Sequence, residues 1–174
     1  MPHISVPAAE LNTRLDRLRC AMTEKDPAWS MLLLDNTLDM YYFTGTMQDG
    51  ALVVTPDQAT LFVRRSFDVA KDESAFADIR PMSSFRGIKE VYPDIPETVA
   101  AKTMTLQKLS MLNKHLPFSP KPVDGVLSGL RSVKSAYELD CMRESGRLHR
   151  YVIEELAPAF LREGVSEARL CSEI

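Results

Sequence analysis

Two acidic residues come first among the side chains that could do chemistry. Asp35 and Asp39 follow the apolar run Met31-Leu32-Leu33-Leu34, and a carboxylate pair at a strand end is the minimum equipment of a metal-dependent nuclease. Turn preferences favour a plainer role, with Asp35-Asn36 forming a turn and Asp39 decorating it. The sequence contains no Gly-x-Ser-x-Gly, no His-Glu-x-x-His and no phosphate-binding glycine loop. His3, His115 and His149 are scattered, and Cys20, Cys141 and Cys171 show no Cys-x-x-Cys spacing. They read as buried or half-buried thiols in a reducing compartment. A self-sufficient active site is therefore not expected.

A second group looks suited to contact rather than catalysis. Thr46, Met47, Gln48 and Asp49 lie between Gly45 and Gly50, directly after the aromatics Tyr41, Tyr42 and Phe43. Core packing accounts for the rings, but not for a flexible apolar side chain beside polar ones in a loop, a mixture that binds ligands or partners when a rigid scaffold presents it. Arg64-Arg65, just after an apolar strand, could grip a carboxylate with a bidentate fork.

The elements that must position these residues follow from periodicity. Leu11, Leu15, Leu18 and Met22 share one face of a helix over residues 8–25, with Arg14, Asp16, Arg17, Arg19 and Glu24 on the other, Pro7 at its start and Pro27 beyond its end. Met31–Leu34 suits a strand buried on both faces. Residues 37–44 suggest a helical turn or two closed by Gly45. Thr55-Pro56-Asp57-Gln58 between two apolar runs predicts a β-hairpin over 51–63. A short helix over 66–76, a strand near 79–82, a possible short helix in 83–97 and a strand over 98–102 follow. Leu106, Leu109, Leu112 and Leu116 then repeat at helical spacing behind Thr105 as N-cap. Pro117, Pro120 and Pro122 read as a stiff connector into a last strand at Val123–Leu127. Strands alternating with helices, plus one hairpin, argue an α/β domain with a mixed sheet flanked by helices.

The last quarter differs. Ser135-Ala136-Tyr137-Glu138 is a capping box, and Leu139, Met142, Leu148, Val152, Leu156 and Phe160 form an interrupted apolar stripe that Pro158 should kink. Ser166 opens another helix whose pattern breaks off at Ile174. The expectation is a first domain over 1–130, and over 131–174 a junction with the first helices of a second domain that continues beyond this sequence.

Composition limits the function. Among 174 residues, 45% are hydrophobic, enough for a full core, and a net charge of −3 offers no counterion release against a phosphate backbone. Nucleic-acid binding is not expected, and the same charge argues against the nuclease. No apolar run reaches the ~18–20 residues that span a bilayer, and Met-Pro-His-Ile-Ser lacks a secretory signal's basic start and apolar stretch. A soluble, cytoplasmic protein without a membrane partner is expected.

In order along the chain stand Leu15-x-x-Leu18-Arg19-x-x-Met22, a buried strand, Tyr42-Phe43-Thr44-Gly45, a hairpin ending in Leu61-Phe62-Val63, and Leu130-Arg131-Ser132-Val133-Lys134-Ser135-Ala136-Tyr137-Glu138-Leu139 with Met142-Arg143. Together they resemble the creatinase/prolidase/aminopeptidase P family of pita-bread metallohydrolases. The resemblance implies an N-terminal domain of ribonuclease-H-like α/β fold, followed by a catalytic domain joined where Arg131–Glu138 lies. Gly164-Val165-Ser166-Glu167 resembles an element early in that catalytic domain. The family's dinuclear Mn, Co or Zn ligands all come further downstream, so no metal or other cofactor is expected in this chain and no activity from it alone. The resemblance implies as partners the chain's own missing catalytic domain, a second copy in a homodimer, and a Xaa-Pro peptide substrate in the complete enzyme. It makes Thr46, Met47, Gln48 and Asp49 candidates for the substrate pocket of a partner subunit, with Arg64 and Arg65 beside them. A different class also fits, a catalytically inactive peptide- or protein-binding module with a peptidase-like fold.

Overall fold

The computed structural model describes residues 5–173. Residues 1–4 of the opening Met-Pro-His-Ile-Ser segment, His3 among them, and Ile174 lie outside them. The chain divides into two compact units, Met1–Ser132 and Val133–Ile174.

The first unit is built on a six-stranded mixed sheet in the order β4-β3-β2-β1-β5-β6. α1 (Ala8–Lys25) precedes β1 (Leu32–Leu34), whose three leucines are all buried. α2 (Thr37–Thr44) leads into the hairpin of β2 (Gly50–Val54) and β3 (Ala59–Val63), antiparallel with Gly50 opposite Val63 and Val54 opposite Ala59. α3 (Phe67–Glu73) leads to β4 (Ile79–Pro81), parallel to β3. A tight turn of helix runs into α4 (Ile88–Val91), followed by β5 (Thr98–Ala101), parallel to β1. α5 (Leu106–Asn113) crosses to β6 (Ser119–Pro122), and α6 (Asp124–Ser132) ends the unit. One face of the sheet packs Leu33, Val53, Phe62 and Val99 against Met82, Ile88, Leu112 and Phe118. Strand alternation turns Leu32, Leu34, Leu52 and Leu61 to the opposite face. There the mutually packed helices α1, α2 and α6 supply buried Leu11, Leu18, Phe43 and Leu127.

Three local expectations are corrected. The last strand is not Val123–Leu127: the proline-rich stretch itself forms β6, and residues 124–132 are helical. An edge strand tolerates proline because half its N–H groups face away from the sheet. Ser119 N donates to Glu97 O and Val123 N to Ala101 O, so Pro120 and Pro122 fall at the outward positions. Arg14 is not on the solvated face of α1. It is buried, with Nε 2.8 Å from Glu10 Oε1, Nη1 donating to Tyr42 O at 2.7 Å, and the guanidinium 4.3 Å from the Tyr42 ring centre. All three cysteines are exposed free thiols.

The second unit is helical. Ser135 Oγ accepts from Glu138 N while Glu138 Oε2 accepts from Ser135 N, the reciprocal cap that starts α7 (Ala136–Tyr151). A wider π-type turn over Val152–Leu156 precedes α8 (Ala157–Phe160), which contains Pro158. The disturbance falls in the turn before Pro158, where the helix loses an N–H donor. Gly164 takes a left-handed conformation (φ 81°), and Ser166 Oγ caps α9 (Glu167–Glu173).

Candidate functional site

The loop of residues 45–49 is held at both ends. Asn36 Oδ1 accepts from Leu38 N and Asp39 N at the start of α2, and Gly45 closes that helix at φ 76°, a conformation that costs glycine nothing. At the far end Gly50 enters β2, where a Cβ would come within 2.0 Å of Phe62 O, so only glycine allows the hairpin its register there. Between these points α3 serves as a clamp. Thr46 Oγ1 donates to Glu73 Oε2 at 2.7 Å, Gln48 Nε2 donates to Glu73 Oε1 at 3.2 Å, and Gln48 N donates to Thr46 Oγ1 at 3.3 Å. The Ser74 hydroxyl bonds to Thr44 O, tying the end of α3 to the same loop.

Hairpin register brings Asp49 and Arg64 together, since each flanks the Gly50–Val63 pair. Arg64 Nε and Nη2 both donate to Asp49 Oδ2, at 2.9 and 2.7 Å, and Arg64 N donates to Asp49 O at 2.7 Å. The carboxylate grip expected of Arg64 is thus made within the loop itself. Arg65 is exposed and has no ion pair among the described residues. Thr46 is buried, whereas Met47 is 62% exposed at the tip. The six candidates therefore separate into a fixed base (Thr46, Gln48, Asp49, Arg64) and two outward side chains, Met47 and Arg65. The Glu73 clamp was absent from the sequence reading. Its only signal was an acidic residue at the end of a short polar helix.

The carboxylates of the proposed turn behave differently from expectation. Asp39 does not decorate a turn: it is fully buried, its Oδ1 2.5 Å from Arg131 Nη1 and its Oδ2 2.9 Å from Lys102 Nζ. Asp35 Oδ2 lies 2.9 Å from Lys108 Nζ. With each carboxylate matched by a cation, the pair is not arranged for metal. Among the described residues no three or more His, Cys, Asp or Glu side chains come together as a metal site. The donor set of the described residues thus does not fit a dinuclear centre. No described helix is long and apolar enough to cross a membrane.

At the β3–β4 edge, burial alone would raise the Asp78 carboxyl, but hydrogen bonds from Arg80 and Thr60 outweigh it and hold the group below its ordinary value. At Asp124 burial likewise works to raise the carboxyl, and hydrogen bonds from Thr103 outweigh it and hold the group below its ordinary value. Burial pushes the Tyr92 hydroxyl up.

Comparison with known proteins places this arrangement. Among solved structures, the Xaa-Pro dipeptidase of Bacillus anthracis is similar at 20% identity and a TM-score of 0.76, over 94% of this chain and 47% of that one. The prolidase of Pyrococcus furiosus gives 22% identity and a TM-score of 0.75, over 91% of this chain and 50% of the other. The dipeptidase PepE of Mycobacterium ulcerans gives 24% and 0.74, over 98% and 49%. These likenesses show the fold, and the chain spans about half the length of each relative. No curated protein matches it in sequence. The model of the creatinase/prolidase N-terminal domain matches residues 14–133, the mixed sheet with its flanking helices and the loop they carry. The chain belongs to the creatinase/prolidase N-terminal domain family.

Proposed function

We propose that this chain is the non-catalytic N-terminal part of a cytoplasmic, proline-specific (Xaa-Pro) metallopeptidase, contributing to its oligomerisation and to the substrate pocket of a partner subunit. The observation that carries this reading is one of coverage. The fold match takes in 94% of this chain but 47% of a Xaa-Pro dipeptidase. In this reading residues 131–174 are the junction and the first helices of the catalytic domain. The divalent ions, Mn, Co or Zn, are in this reading held by residues outside this chain.

The loop geometry supports a pocket role. A rigid base held by Glu73 and by the Asp49–Arg64 fork presents Met47 outward without fraying. Leu38 and Tyr41, one helical turn apart on α2, are also exposed and add apolar area of the kind a second copy covers. Free thiols suit a reducing compartment.

The test uses the complete enzyme encoded around this chain. Gln48→Ala and Asp49→Ala should each change kcat/KM by about fivefold or more on some Xaa-Pro dipeptides and not others, with bound metal unchanged. Uniform kinetics across the series would remove the loop from the pocket. A complete protein that binds Xaa-Pro peptides without hydrolysing them would favour the inactive binding module instead.

A further inference from the structure

At the opposite end of β2 from the loop of residues 45–49, the first unit carries a groove of about 330 Å³, the lower end of the range for small-molecule sites. Three segments build it: the turn of residues 55–58 that joins β2 to β3, Ser30 and Met31 at the entry to β1, and residues 91–96 between α4 and β5. Its floor is apolar. Met31 and Tyr92 belong to the buried core and line the groove together with Pro93 and Pro96. The Tyr92 hydroxyl is engaged with Thr60 Oγ1 at 3.0 Å, so this residue offers the groove a ring and not an open polar group.

The charge around that floor has one sign. Asp57 stands on the hairpin turn and Asp94 on the segment leading to β5, so two different walls each bring a carboxylate to the same groove. No lysine, arginine or histidine lines it. Elsewhere in the unit, aspartates meet cations of the fold: Asp26 meets Lys121, Asp39 meets Lys102 and Arg131, Asp49 meets Arg64, and Asp78 meets Arg80. Asp57 and Asp94 are exposed and have no ion pair among the described residues. The groove therefore joins an apolar surface to two negative charges that the fold itself does not match.

We propose that this groove binds a linear aliphatic diamine. One ammonium group meets Asp57 and the other Asp94, while the methylene stem between them covers Met31, Tyr92 and the two prolines. An apolar molecule would strip water from the carboxylates without replacing its hydrogen bonds. A hydrated metal ion would match the charge but leave the apolar floor wet, and a monoamine would match one carboxylate only. A cation at each end of a hydrocarbon stem satisfies charge and floor together. This site is independent of the peptidase reading.

The test is an NMR titration of the whole chain with putrescine, the four-carbon diamine, following backbone amides. Saturable shifts are expected at Met31, Asp57, Gln58 and Asp94, with butylammonium or magnesium ion binding at least about threefold more weakly, the scale of one exposed charge pair. Asp57→Asn and Asp94→Asn, both at exposed positions, should each weaken putrescine binding by roughly threefold while keeping a dispersed, folded spectrum. Absence of saturable shifts at these amides in the unaltered chain would overturn the proposal. So would butylammonium or magnesium ion binding as tightly as putrescine, or folded variants that bind putrescine unchanged.

Discussion

Replacing Arg131 by Met tests the charge cluster that ties the last helix of the first unit to α2. Asp39 is fully buried, and its two oxygens are divided between Arg131 and Lys102. Removing one partner of a buried ion pair costs about 3–5 kcal/mol where it leaves the other charge uncompensated. Here Lys102 stays, and the two cations are each a little over a quarter exposed, 28% for Arg131 and 29% for Lys102, so water can reach the vacated side. A loss of about 2 kcal/mol is the resulting expectation. At a typical urea slope this lowers the unfolding midpoint by about 1 M. Trp29 is the only tryptophan in the sequence and lies buried in the first unit, with Nε1 donating to Thr23 Oγ1, so its fluorescence follows that unit. Arg131 has further partners. A cycle with Asp39→Asn therefore isolates the pair, and the coupling should be about 1–2 kcal/mol. A midpoint moved by less than about 0.3 M, or a coupling below about 0.5 kcal/mol, would refute the reasoning.

Gly50→Ala should destabilise the first unit by about 2 kcal/mol or more, because its Cβ would meet the backbone oxygen of Phe62 and force the hairpin apart; an unchanged urea midpoint would contradict this. Asp78 carries a pH dependence whose sign follows from its lowered value. Its contribution is complete above the unfolded carboxyl range of about 4 and is lost as pH falls through the folded value, so Asp78→Asn should flatten the loss of stability in acid. Identical acid profiles for the two proteins would count against the Arg80 and Thr60 bonds.

Elements with local causes were legible in the sequence. The hairpin, the helix over 8–25, the Thr105 cap and the Ser135–Glu138 capping box all appear where periodicity and cap chemistry put them. What escaped was set by distant partners. Arg14 reads as a polar-face residue until the Tyr42 carbonyl and ring cover it. Asp39 meets Lys102 and Arg131, 63 and 92 positions away, and no local pattern announces that convergence. β6 was hidden because proline disqualifies a central strand, and edge position is a property of the finished sheet. In the candidate loop, the Asp49–Arg64 fork follows from hairpin register and could have been inferred from it. The Glu73 clamp needed the placement of α3.

Residues 1–174 alone give the most direct test of whether, as proposed, metal chemistry lies outside this chain. The purified chain is incubated with Mn, Co or Zn and freed of excess ion, then its bound metal and its turnover of Xaa-Pro dipeptides are measured on the same sample. No stoichiometric metal and no hydrolysis above background are expected; bound metal near two ions per chain with metal-dependent turnover would contradict the account.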